Sequence, residues 1–238
     1  MHPDELIEAT RRETVALAAA AADRMEAEVP SCPGWTVEVL VNHLGRVQGW
    51  AAEMVRQGAS DRLPFPARPD EVTPEWLVAQ NQALVAALEE AGPDRPMWTF
   101  AGMGTARFWM RRQAVEAAIH RWDVQLASGP PEPVETELAL AGVDEMLDFF
   151  LPLRIQPDQL TGSTHLHATD SDHGEWIVQP TPDEILVGHN HEKADVALRA
   201  PASDLLLTVW GRTPAQKPEV FGDASVLASL QAALAGAA

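Results

Sequence analysis

Three side chains of metal-binding type fall at helical spacing in two separate stretches of this sequence. Glu116 and His120 are four residues apart, so on a helix they lie one above the other on one face. His43 belongs to an earlier stretch in which Val37, Leu40, Leu44, Val47, Ala51 and Met54 recur at helical period. It sits on the flank of that apolar stripe, on the side shared with Val47, Trp50 and Met54. In the later stretch the stripe is Phe108, Val115, Ile119, Trp122 and Leu126, and Glu116 and His120 flank it in the same way. The flank of a core stripe faces the groove between neighbouring helices, so two imidazoles and a carboxylate could meet there. Such a set suits a borderline divalent ion such as zinc, and three protein ligands leave positions open for water or substrate. A Glu-x-x-x-His pair is also commonly a solvated helix pair, and a boundary histidine is commonly hydrogen-bonded and nothing more. Spacing leaves both readings open.

Other reactive side chains are weighed the same way. Cys32, between Ser31 and Pro33 with no designated base, reads as a small packing residue before it reads as a nucleophile. Arg212, after Trp210-Gly211, could clamp a carboxylate or cap the end of a helix. Arg112 and Asp123 lie near the ligand face, as supporting partners of a metal site or as solvated charges. Trp35, Trp50, Trp109 and Trp122 read as core. His165 and His167 are two apart, as are His189 and His191, and paired strands could cluster them into a rival site. Alternation on a polar strand face explains them as well and is the reading preferred here. Gly102-Met103-Gly104 lacks the third glycine of a dinucleotide fingerprint, and there is no Gly-x-Ser-x-Gly elbow or Walker loop.

The elements that must carry these residues divide near Gly129. Residues 1–129 read as four helices: about Asp4 to Glu28, Thr36 to Gln57, Thr73 to Ala91 and Thr105 to Ser128. Thr36 and Thr73 stand as N-caps, Pro74 at a first helical position, and Gly58, Gly92 and Gly129 as stops. Four such helices predict a bundle. Residues 130–238 change texture, with a helix over about Glu135 to Leu151 and then short strands. Those are Ser163 to Thr169, Glu175 to Pro180, Glu184 to Gly188 and Ala194 to Arg199. Helices near Pro201 to Gly211 and Ala224 to Ala235 finish the chain. The expected class is α+β, a helical bundle followed by a smaller α+β domain.

Composition narrows the function. The 238 residues are 46% apolar and 22% charged, enough for one large core or two modest ones. Seventeen Lys and Arg oppose 35 Asp and Glu, a net charge of −18, which disfavours nucleic acid and anionic membrane surfaces as partners. Tyrosine is absent and lysine occurs only at 193 and 217, so tyrosine acid–base schemes are excluded and Schiff-base lysines are few. A single cysteine forms no internal disulfide. Residues 1–13 carry Asp4, Glu5 and Glu8 where a signal peptide needs an apolar core, and the longest apolar run, Val15 to Ala22, is too short to span a bilayer. A cytoplasmic protein is expected.

The motifs also carry a resemblance. Pro33-Gly34-Trp35-Thr36 with His43-Leu44 resembles a signature of the mycothiol-dependent maleylpyruvate isomerase family, whose helical domain is a DinB-like metal-binding bundle. Arg112 to Asp123, with Glu116 and His120-Arg121-Trp122-Asp123, is similar to the same family's fourth-helix segment. His165 to Asp170, Ala194 to Leu207 and Trp210-Gly211-Arg212 look like its C-terminal domain, which resembles a sterol-carrier fold. The resemblance implies that His43, Glu116 and His120 are metal ligands, with zinc, iron and other divalent ions compatible. It implies a low-molecular-weight thiol, mycothiol, activated at an open metal position. Addition of that thiol to a cis double bond conjugated to a carbonyl, rotation and elimination would give the trans isomer. A substrate with a leaving group or an epoxide would instead yield a stable S-conjugate, so isomerase and S-transferase share a first step. A small-molecule-binding module with a structural metal, and a hydrolase using metal-bound water, are the alternatives.

Overall fold

The computed structural model describes residues 1–214 and 216–237. The chain forms two compact units, Met1–Glu132 and Pro133–Ala238.

In the first unit α1 spans Pro3–Ala21, with Pro3 at its first turn and the His2 amide donating to Glu5 Oε2 at 2.6 Å. It stops about two turns before the expected end at Glu28. Val29 precedes Pro30 and is driven to an extended backbone, and residues 25–29 then pair back onto the chain entering the next helix. Val29 donates to Trp35, Val37 to Ala27 and Glu38 to Met25. Helix α2, Val37–Gln57, is capped by Thr36, whose hydroxyl accepts from the Val39 amide, and ends on Gly58 in the left-handed region at φ 55°. Helix α3, Pro74–Ala91, is capped by Thr73. Helix α4 covers Ala106–Leu126.

Between α3 and α4 the chain makes a hairpin that the sequence reading misses. Strand β1, Pro96–Thr99, pairs antiparallel with β2, Gly102–Thr105. The Gly102-Met103-Gly104 element is thus a short strand, with Gly102 at φ 100°. Trp98 anchors the hairpin: its amide donates to Ala59, and its carbonyl accepts from the Trp109 indole at 2.8 Å.

Helix α1 packs on α3 and α4, and α2 on α3 and α4. Leu17, Leu40, Leu44, Leu77, Leu88, Trp109 and Val115 lie fully inside. Two buried polar ties cross this core. Asn81 and Gln48 both donate to Thr14, joining α1, α2 and α3. Arg121 donates to Glu13 at 2.8 Å, joining α4 to α1.

The second unit opens with α5, Thr136–Asp144, which widens into a π turn at Glu145–Phe150 before α6, Leu151–Arg154. The helix expected over about 135–151 is present and runs on to Arg154, its winding loosened to π ahead of Pro152, which has no amide hydrogen to donate to the preceding turn. A five-stranded sheet follows: β3 Thr164–Ala168, β4 Glu175–Pro180, β5 Ile185–Gly188, β6 Val196–Ala200 and β7 Glu219–Gly222. Its order is β5-β4-β3-β6-β7, antiparallel except for the parallel central pair β3 and β6. Helices α7, Ala202–Val209, and α8, Ala224–Ala237, pack on it. Strand β7 was not expected; all four of its residues are exposed, so it has no apolar alternation to read.

Among the described residues no helix is long and apolar enough to cross a membrane.

Candidate metal centre

The α2 and α4 stripes pack, and their flanks bring His43, Glu116 and His120 together. His43 Nε2 lies 3.1 Å from Glu116 Oε1, and His120 Nε2 lies 3.3 Å from the same oxygen. The two imidazole rings stand nearly perpendicular, with centroids 5.2 Å apart. One atom from each residue therefore faces a common point. Glu116 and His120 are nearly covered, whereas His43 keeps about a third of its side chain exposed, which gives the point a route to solvent. The Trp35 ring, held by the loop after α1, packs on His43 at 5.3 Å.

The supporting contacts decide what these atoms can do. Asp123, one turn beyond His120 and wholly buried, accepts from His120 Nδ1 at 2.9 Å. An ionised carboxylate only accepts, so the ring proton sits on Nδ1 and the Nε2 lone pair is left for a ligand bond. Arg112, one turn before Glu116, pairs with Glu116 Oε2, and Oε1 is the oxygen turned toward the histidines. Arg112 and Asp123, left between two readings by the sequence, are thus buried partners of the trio. Their signal was their own spacing, i−4 from Glu116 and i+3 from His120. The donor set fits a divalent ion of zinc type: two imidazoles, one carboxylate oxygen, and a carboxylate behind an imidazole.

Cys32 lies close to this network. Its thiol is half-buried against the bundle core, with Sγ 3.7 Å from Asp123 Oδ2. Arg212 belongs to the second unit. Its Nη1 donates to the Trp210 carbonyl at 2.7 Å, which is a capping contact at the end of α7. It also lines a cavity of about 440 Å³ with Thr208, Lys217, Pro218, Val220 and Leu227.

The reading of the strand histidines as mere alternation needs correction. His165 and His167 share one face of β3, and the register sets His167 opposite Glu175 on β4. His191 comes in from the loop after β5, and all three imidazoles bond Glu175, at 2.9, 2.9 and 2.7 Å. Burial pushes the Glu175 carboxyl up, but these hydrogen bonds outweigh it and hold its pKa below the ordinary carboxylate value. His189 instead faces Asp148, at 3.1 Å.

A helical bundle with two imidazoles and a carboxylate gathered at one point, followed by an α+β unit, defines the class: a two-part α+β protein whose bundle carries a candidate metal centre. The chain belongs to the mycothiol maleylpyruvate isomerase family. The model of that family's N-terminal domain matches residues 6–125, and the MDMPI C-terminal domain model matches residues 137–229. Among solved structures, the chain is similar to the mycothiol-dependent maleylpyruvate isomerase, at 13% identity and a TM-score of 0.61 over 92% of this chain and 93% of that one. A point mutant of that isomerase gives 12% identity and a TM-score of 0.62 over the same shares. At these identities the likeness is one of fold. Comparison with curated proteins finds no match.

Proposed function

We propose that this protein is a divalent-metal- and mycothiol-dependent isomerase of the maleylpyruvate type, with His43, Glu116 and His120 as the metal ligands. One observation carries the reading: His43 Nε2 and His120 Nε2 both approach Glu116 Oε1 at one partly open point, and the Asp123 contact at His120 Nδ1 leaves the Nε2 lone pair of that ring for a ligand bond. Bound there, zinc and the thiol would together supply a deprotonated sulfur nucleophile, the ion through its Lewis acidity. The chain's own groups do the rest. Asp123 fixes the tautomer of His120, and Arg112 holds Glu116 so that one oxygen faces the histidines. The partial exposure of His43 admits a small molecule. Arg212 is proposed as a guanidinium for a carboxylate of substrate or thiol. The family membership supports both the thiol and the isomerase class.

The test is a three-part incubation of zinc-loaded protein with a cis-configured conjugated oxo-acid, with and without mycothiol. The expected result is a trans product that requires the thiol without consuming it, and that Glu116→Gln abolishes. A stable S-conjugate would reassign the protein as a transferase. A water-addition or cleavage product formed without thiol would reassign it as a hydrolase, and trans product formed without thiol would overturn the thiol mechanism.

A further inference from the structure

The bundle trio is not the only group of metal-ligating side chains that the fold assembles. We infer that His165, His167, His191 and Glu175 form a second divalent-metal site, of zinc type, built into the sheet of the C-terminal unit.

Its donors come from three segments that nothing else obliges to meet. His165 and His167 stand two apart on the same face of β3, and Glu175 opens β4 directly across from His167. His191 lies on the loop between β5 and β6 and turns its ring back onto that face. One atom from each of the four residues lies within 4.8 Å of the others. The ring centroids of His165 and His191 are 5.0 Å apart and those of His165 and His167 6.0 Å, with every pair of planes near perpendicular. The rings are therefore not stacked; they point edge-on at one place. Metal–ligand bonds of about 2.0–2.1 Å in a tetrahedron put donor atoms roughly 3.3–3.4 Å apart. Glu175 Oε2 lies 2.9 Å from His165 Nε2 and 2.7 Å from His191 Nδ1, a few tenths of an ångström inside that. His167 Nδ1 bonds the other oxygen, Oε1, at 2.9 Å, and a small outward movement of the rings admits the ion.

The donor chemistry separates this site from the bundle site. Three imidazoles and one carboxylate complete a four-coordinate shell, and it is closure of the shell, with no position left open, that marks a structural zinc. The bundle trio supplies only three ligands. His165 is buried in the sheet, whereas His191 is three-quarters exposed on its loop. An ion here would tie the loop bearing His191 to the centre of the sheet. The chain's charge of −18 favours cation capture as well.

Zinc titration and bound-metal analysis of untagged, full-length protein test this. Wild type is expected to hold two zinc ions per chain and His120→Ala one. In the His120→Ala background, His191→Ala on the exposed loop and Glu175→Gln on the strand should each weaken the remaining ion at least tenfold. Cobalt in that background should show the strong visible absorption of a tetrahedral ion, lost with His191→Ala. If His120→Ala binds no zinc, or if both added substitutions leave its ion as tightly held, the second site does not exist. If wild type and His120→Ala each hold one ion that His191→Ala releases, the sheet site stands and the bundle reading fails.

Discussion

His120 donates its Nδ1 proton to Asp123 across 2.9 Å, one turn along the same helix, and Asp123 exposes none of its side chain. A buried carboxylate behind a ligand histidine fixes the ring's orientation and raises the basicity of its far nitrogen. Asp123→Asn keeps the volume and an acceptor oxygen but removes the charge. Zinc affinity at the bundle site should fall about 10–100-fold while all three ligands remain. Calorimetric titration in a Glu175→Gln background, with circular dichroism to confirm the helices, checks this. Unchanged affinity would reduce Asp123 to a packing residue.

Cys32 sits 3.7 Å from the same Asp123 oxygen, near enough to invite a catalytic role. The external thiol of the proposed mechanism would make it unnecessary. Cys32→Ser preserves size and a donor toward Asp123, so turnover should stay within a few-fold and zinc content should not change. Complete loss of turnover in a folded variant would show that the chain carries its own nucleophile, and the thiol mechanism would fall.

The bundle's core is built from residues other than the proposed metal ligands. Leu17, Leu40, Leu44, Leu77 and Trp109 are fully buried without contribution from the trio, so His43→Ala and His120→Ala should both fold. Their loss of stability should come from lost ligand linkage, about 2.7 kcal/mol where free zinc is a hundredfold above its dissociation constant. Urea unfolding in zinc and in chelator separates the terms. In chelator His43→Ala should lie within ~1 kcal/mol of wild type, whereas His120→Ala should also lose the buried bond to Asp123, a cost of about 1–3 kcal/mol. A larger gap for His43→Ala would make that histidine structural in its own right.

What the sequence made legible follows from how local each signal was. Thr36, Thr73, Pro74 and Gly58 act on their nearest neighbours, and the starts and ends they set for α2 and α3 match the structure. Glu116 and His120 were readable because one helix fixes their relation, and His43 because a single stripe orients α2. The early end of α1 depends on residues 25–29 finding partners near Trp35, a non-local choice that alanine content conceals. The π turn before Pro152 and the hairpin at 96–105 are likewise set by context. Clustering of the strand histidines is hidden for the same reason. Strand register and the path of the loop bearing His191 decide it, and neither shows as periodicity.

A last prediction concerns acid stability and α7. Asp204 lies in the first turn of that helix, half-buried, and burial followed by the nearby charge of Asp170 raises its pKa above the ordinary 3.8. Asp170 is itself held in place, accepting from the Ala202 amide at 2.7 Å. The sign follows from proton binding. Between the unfolded and folded pKa values the folded chain holds the Asp204 proton more often than the unfolded chain does, so stability falls as pH rises through that interval. At neutral pH the ionised group therefore weighs against the fold, and below 3.8 the penalty vanishes. Asp204→Asn removes the charge at every pH. The variant should equal or exceed wild type at pH 7, by less than ~1 kcal/mol because solvent screens a half-buried group. The gap should close toward pH 4. Asp195 and Asp223 have lowered pKa values and bend the absolute curve the other way, so the difference between variant and wild type is the quantity to follow. Urea unfolding at pH 4, 5, 6 and 7 measures it. A variant less stable than wild type at pH 7 would mean that the Asp204 charge supports the α7 N-terminus more than burial and Asp170 oppose it.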